Sequence, residues 1–230
     1  MGALAVALPN LDGLDVAAIR RRLAAEVVGT HVYIYGNVPS TNAALGDLAA
    51  AGAREGTVVL TESQRGAYGR RRDPVSFSPH GANLYASVLF RPDIPPAAAP
   101  VFSFIALLAL TEAVWGLRVP VAVKCPGDLL VRGRKVASVR LDVSTVGDRV
   151  AHVIVGVGVN VNVVRAELEM GLGPDAGGAT SLREELGRPI DRNAFAASYL
   201  TQLEKWHRLY EASGAQTVMM FWRHLTEKGG

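Results

Sequence analysis

The sequence predicts an α+β fold, a mixed β-sheet with helices packed on it. Three observations lead there. Short β-rich segments cluster between residues 121 and 161, the chain turns helical from Ser181 onward, and strands and helices do not alternate as in a doubly wound array. Apolar residues make up 49 % and charged residues 20 % of 230 positions, which is ordinary globular usage. A chain of this length buries about 70 to 75 % of its unfolded surface, and we expect one domain over residues 1–230.

Taken in order, residues 15–27 place Val16, Ile19, Leu23 and Val27 on one face with three arginines between them, an amphipathic helix. Residues 31–38 alternate as a strand. Ser40, Thr41 and Asn42 then precede an alanine-rich helix over 43–51, closed by Gly52. Residues 57–62 read as a buried strand, and 63–81 as a long Gly- and Arg-rich loop of a length that points to function. A strand at 83–90, a Pro/Ala linker at 92–100 and a mostly buried helix at 101–117 follow. Strands are expected at 121–124, 129–132, 135–143 and 149–161, with a hairpin turn at Gly133 and Arg134. Helices are expected at 181–186, 193–212 and 215–227.

Composition excludes several classes. With 24 basic against 21 acidic residues the net charge is only +3, too little to argue for nucleic acid or an anionic membrane. The single cysteine, Cys125, excludes an internal disulfide and a multi-cysteine zinc site and fits a reducing compartment. Residues 1–9 lack the basic start of a signal peptide. Residues 101–117 hold Ser103, Thr111 and Glu112 and fall short of a membrane span. We therefore expect a cytoplasmic protein with no membrane partner.

Four segments carry candidate chemistry. Residues 65–72 gather Arg65, Arg70, Arg71 and Arg72 around Gly66 and Gly69. Such a loop suits a nucleotide phosphate, because glycine lets backbone N–H groups approach and arginine matches phosphate oxygens bidentately; a solvated basic loop is the alternative. Lys124 follows Val121, Ala122 and Val123, so strand register could turn it inward. A desolvated ammonium there would need a carboxylate or phosphate and would stabilise charge developing at phosphorus, whereas a strand-edge lysine would reach water. Ser40, Thr41 and Asn42 could hold a small uncharged polar ligand or simply cap a helix. Gly156 and Gly158 alternate with valines, leaving one strand face bare for a flat ligand or tight sheet packing.

In this order the segments resemble the catalytic domain of biotin protein ligases over roughly residues 15–222. The resemblance rests on Ser40-Thr41-Asn42, on Glu62-x-Gln64, and on Ser78-Pro79-x-Gly81-Ala82-Asn83-Leu84-Tyr85-x-Ser87. It continues through Lys124-x-Pro126-x-Asp128-Leu129, Lys135-Val136-Ala137, Gly156-Val157-Gly158-Val159-Asn160 and Thr180-Ser181-Leu182. It implies that Ser40, Thr41, Asn42 and Gln64 bind the ureido ring of biotin and that Gly156 and Gly158 line its pocket. Gly69, Arg70 and Arg71 would fold over the adenylate phosphate, and Asp128 and Asn160 would lie near the nucleotide. Lys124 would touch both the biotin carboxylate and the α-phosphate, with Lys124 and Arg70 as the catalytic pair. The implied reaction uses ATP and Mg²⁺ to form biotinyl-5′-AMP, then biotinylates a lysine of a biotin carboxyl carrier protein. A binder without ATP chemistry, or lipoate or octanoate transfer, are the alternatives.

The sequence departs from the family pattern in three places. K-W-P-N-D reads Lys124-Cys125-Pro126-Gly127-Asp128. G-R-G-R-x-G reads Ala67-Tyr68-Gly69-Arg70-Arg71-Arg72, with Val75 or Ser76 where an adenine-stacking Trp is usual, a stack worth about 1–3 kcal/mol. A-G-I-L-x-E reads Ala137-Ser138-Val139-Arg140-Leu141-Asp142, and Arg140 would either clash with the core or replace the lost loop arginine. No helix-turn-helix is expected before Asp15 and no SH3-like barrel after Trp222. A free sheet edge in such a fold is a surface through which two copies could form a homodimer.

Overall fold

The structure is a computed structural model that describes residues 13–64 and 78–227. Seven strands form one sheet: β1 (Val32–Tyr35), β2 (Val58–Thr61), β3 (Leu84–Phe90), β4 (Ala122–Lys124), β5 (Asp128–Val131), β6 (Arg134–Val146) and β7 (Arg149–Val159). Their spatial order is β1-β2-β3-β7-β6-β5-β4. Only β1 and β2 pair parallel; every other neighbour is antiparallel, so the sheet is mixed as the sequence predicts.

The helices divide between the two faces. Six α-helices are described: α1 (Val16–Arg20), α2 (Thr41–Ala50), α3 (Val101–Trp115), α4 (Arg165–Leu172), α5 (Leu182–Leu186) and α6 (Arg192–Glu227). α3 and α6 cover one face, where Val88, Phe90, Val153, Val155 and Val157 meet Phe102, Ile105, Tyr199 and Leu203 in the main core. α2 lies over part of the opposite face, where Leu45 and Ala49 pack on Val59, Leu89 and Ile154. The rest of that second face carries the candidate site.

α3 corrects one expectation. With the short turn before it, the stretch Pro96–Trp115 is 20 residues long and apolar enough to cross a membrane by length and composition. Here it is a core helix: Ile105, Ala106, Ala109 and Leu110 are fully enclosed by the sheet and α6. α6 bends at Gly214, whose φ of 76° is unavailable to a helical residue, at the gap between the two helices expected there.

α1 is much shorter than the predicted helix over 15–27, and the cause lies far away in sequence. Glu204 of α6 is buried, and its carboxylate accepts the backbone N–H groups of Glu26, Val27 and Val28 at 2.8–2.9 Å. Thr201 accepts that of Ala24. These bonds pull residues 24–28 onto α6 instead of into another helical turn. Burial, the largest influence, pushes the Glu204 carboxyl up, but the three N–H donors and Arg208 together hold it below its ordinary value.

Glu204→Gln should therefore destabilise the fold by about 2–3 kcal/mol near neutral pH, since it removes a charged acceptor and turns an amide N–H₂ toward N–H donors. A carboxyl whose folded pKa is depressed contributes fully above its unfolded value and loses that contribution as pH falls through the folded one. The gap between wild type and variant in urea melts should shrink below the ordinary value of 4.5. A gap equal at pH 7 and pH 3 would refute this assignment.

Candidate active site

Strand register defines the site. Directly opposed residues share a face of the sheet, and one row across it runs Thr61, Tyr85, Gly158, Ser138, Asp128, Lys124. The next row is Val59, Ser87, Gly156, Arg140. The third, Leu89, Ile154, Asp142, begins beneath α2. Two glycines at the middle of the first two rows leave a shallow floor beside the start of α2.

The start of α2 hangs over that floor. Ser40 takes the N-cap position, but its side chain makes no capping bond, so the capping alternative fails for its hydroxyl. Thr41 and Asn42 are buried. The Thr41 N–H donates to Gln64 Oε1 at 2.8 Å, and the Thr41 hydroxyl lies 3.3 Å from the same oxygen. Ser87 Oγ lies 2.7 Å from Thr41 Oγ1 and 2.6 Å from Asn42 Oδ1. Asn42 Nδ2 donates to Asp142 at 2.9 Å. Thr41, Asn42 and Gln64 thus come together as expected, joined by Ser87 and Asp142.

Gly156 has a different neighbour from the flat ligand or second backbone expected of it. A Cβ there would lie 2.1 Å from Asn42 Oδ1, so the bare strand face is what admits the Asn42 amide. At Gly158 a Cβ would meet the Tyr85 ring at 3.6 Å and Ser138 Oγ at 4.0 Å, ordinary contact distances. Burial pushes the Tyr85 phenol up, partly offset by hydrogen bonds with Ser78 and with Asn83, whose Nδ2 donates to the Tyr85 hydroxyl at 3.1 Å.

The basic residues are arranged differently from the expectation of a buried ammonium. Lys124 ends the edge strand β4 and is exposed, as the strand-edge alternative has it. It still lies in the row of Gly158 and Ser138, its chain directed over the same face. Asp128, opposite it, is ion-paired with Lys135 at 3.2 Å, a lysine to which sequence reasoning assigned no role. Arg140 is exposed on the open face, not in the core, so of its two readings the core clash does not hold. Asn160 is committed to the scaffold: its Nδ2 donates to the Thr180 carbonyl at 3.0 Å. Gly69, Arg70 and Arg71 lie outside the described residues.

Below the floor, a buried ion pair holds the strand that leads to Gln64. Arg192 Nη1 donates to Glu62 Oε2 at 2.6 Å and to the Asn83 carbonyl at 3.1 Å. The Glu62 carbonyl accepts the Gly81 N–H at 3.2 Å, and the Gln64 N–H donates to Ser78 Oγ at 2.8 Å. Among the described residues no group of three His, Cys, Asp or Glu side chains could hold a metal ion.

Comparison with known proteins shows the family and the fold. Residues 35–160 match the model of the biotin/lipoate A/B protein ligase family. The chain is 32 % identical over 212 residues to the bifunctional ligase/repressor BirA of Bacillus spizizenii, covering 91 % of this chain and 63 % of that protein. It is 33 % identical over 175 residues to the biotin–[acetyl-CoA-carboxylase] ligase of Paracoccus denitrificans, covering 71 % of this chain and 68 % of that one. The fold matches the biotin protein ligase of Aquifex aeolicus solved with biotin and ATP, with a TM-score of 0.65 at 23 % identity, over 81 % of this chain and 74 % of that one. The chain thus spans about two thirds or less of the length of the BirA relatives it matches. A family match over more than half its length, on the strands that build the glycine floor, makes this chain a member of the biotin/lipoate A/B protein ligase family.

Proposed function

We propose that the protein is an ATP-dependent biotin ligase that forms biotinyl-5′-AMP and transfers biotin to a lysine of a carrier-protein domain. The observation that carries this reading is the polar cluster of Thr41, Asn42, Gln64, Ser87 and Asp142 at one end of a glycine floor whose other end carries Lys124. A bicyclic urea with a carboxylate tail has the matching polarity: donors and acceptors at the ring, negative charge at the far end. The relatives named as biotin ligases support the same reading.

In the first step a biotin carboxylate oxygen attacks the α-phosphorus of ATP, the bond to pyrophosphate breaks, and a mixed anhydride forms. Thr41 and Gln64 orient the ring, and Lys124, together with Arg70 and Arg71, neutralises the charge gathering on the phosphate oxygens. Asp128 and Asn160 lie toward the nucleotide, Asp128 by aiming Lys135 and Asn160 by fixing the segment at Thr180. Mg²⁺ would enter with ATP, held mainly by the phosphate oxygens and its own waters. In the second step a lysine amine attacks the acyl carbon, AMP leaves, and the amine loses a proton to give the amide.

Mass spectrometry of protein incubated with biotin, ATP and Mg²⁺ should find biotinyl-adenylate, and an added carrier domain should gain one biotin. Lys124→Ala should slow adenylate formation about 10²- to 10³-fold, the usual loss for a group that stabilises transition-state charge. Absence of adenylate and of transfer with intact protein would refute the reading.

A further inference from the structure

The face that carries the glycine floor also carries a guanidinium with no partner among the described residues. Arg140 is exposed and makes no hydrogen bond or ion pair with any described residue. It stands directly across from Gly156, in the row that continues to Ser87, and Ser87 is bonded to both Thr41 and Asn42. With no side chain on Gly156, nothing on β7 separates Arg140 from the Asn42 amide, which lies over that glycine. Two residues along the same strand face, Asp142 is already engaged by Asn42 and is not paired with Arg140. By register Arg140 therefore stands on the same sheet face as the polar cluster, one row away from the Lys124 row.

We propose that Arg140 is a specificity-determining residue that donates to the carbonyl oxygen of the ring bound at this end. The inference rests on the biotin reading above and deepens it. A ligand that fills the cavity strips water from the guanidinium, and an arginine so desolvated must meet an acceptor or it opposes binding. A cyclic urea supplies a strongly polarised carbonyl oxygen flanked by two N–H donors. Arg140 beside the Asp142 carboxylate presents the complementary sequence of donor and acceptor along one strand face. The consequence is a pocket that prefers a neutral urea and rejects a ring with a cation in place of that oxygen, because like charges would face each other.

The test is calorimetry of the whole protein with biotin and with 2-iminobiotin, whose protonated ring carries a nitrogen where biotin has the carbonyl oxygen. Wild type should bind biotin and discriminate strongly against iminobiotin. Arg140→Leu should weaken biotin about 10- to 100-fold, as for loss of a charged hydrogen bond, and leave iminobiotin unchanged or improved, so the ratio collapses. Arg140→Lys should keep most of the discrimination. The site is exposed, so both variants should melt like wild type, which thermal unfolding checks. Biotin binding with the same biotin-to-iminobiotin ratio in wild type and Arg140→Leu overturns this inference alone, whereas a wild type that binds no biotin overturns the biotin reading and this inference with it.

Discussion

Arg192→Met should cost the fold about 3–5 kcal/mol, the largest stability loss expected of any single substitution at this site. Arg192 and Glu62 are both nearly inaccessible to solvent, and removing the cation leaves the Glu62 carboxylate buried against the Asn83 strand with no counter-charge. The pair does more than neutralise itself. Glu62 Oε1 also accepts the Leu14 N–H at 2.5 Å, so one carboxylate ties the start of the chain to β2, while Arg192 ties α6 to the start of β3. Replacing both partners, as Glu62→Gln with Arg192→Met, should cost clearly less than the sum of the single changes, because the unpaired charge is gone. Denaturant melts of the four proteins measure this coupling. Additive losses would mean that the two side chains act independently. Biotin affinity should fall with Arg192→Met as well, since the same strand delivers Gln64 to Thr41.

Why some of this was legible in the sequence and some not follows from where each partner comes from. β3 and β7 are readable because burial on both faces writes itself as continuous β-forming residues or a glycine–valine alternation. The Ser40, Thr41 and Asn42 turn was readable because polar side chains gather just before an apolar helix. α1 was overextended because Glu204, which captures residues 26–28, lies some 176 positions away. α4 was missed because only Leu168 of its eight residues is buried and its start is fastened by Glu167 accepting the Val164 N–H, a local signal with no apolar stripe behind it. The sides of β6 could not be assigned until its pairing with β7 was known: a shift of one residue exchanges Val139 for Arg140. That is why Arg140 had two incompatible readings and Asp142 had none. Lys124 had an inward and a strand-edge reading because three apolar neighbours do not fix its direction; a three-residue edge strand has a covered face and an open one, and its last residue falls on the open side.

Gly156→Ala should be the most damaging substitution for binding that leaves the fold standing. A Cβ at that position would fall 2.1 Å from Asn42 Oδ1 and 2.8 Å from its Cγ, contacts no packed structure tolerates. Asn42 is not a free side chain that can step aside: it is held by Ser87 on one side and by the Asp142 carboxylate on the other. Swinging out forfeits both bonds, one of them charged, at a cost of about 2–4 kcal/mol. Biotin affinity should drop about 100-fold, because Thr41, bonded to the same Ser87 hydroxyl, loses its support as well. Gly158→Ala makes the opposite contrast. Its Cβ meets the Tyr85 ring at 3.6 Å, an ordinary contact, so stability should change by less than about 1 kcal/mol while the methyl group takes up ligand space directly. Adding Asn42→Ala to Gly156→Ala should restore neither stability nor affinity in full, since the clash is relieved but the bonds to Ser87 and Asp142 stay lost. Melting curves and calorimetry on wild type and the three variants separate these effects, and a Gly156→Ala protein that binds biotin like wild type would mean that the Asn42 amide has no part in holding the ring.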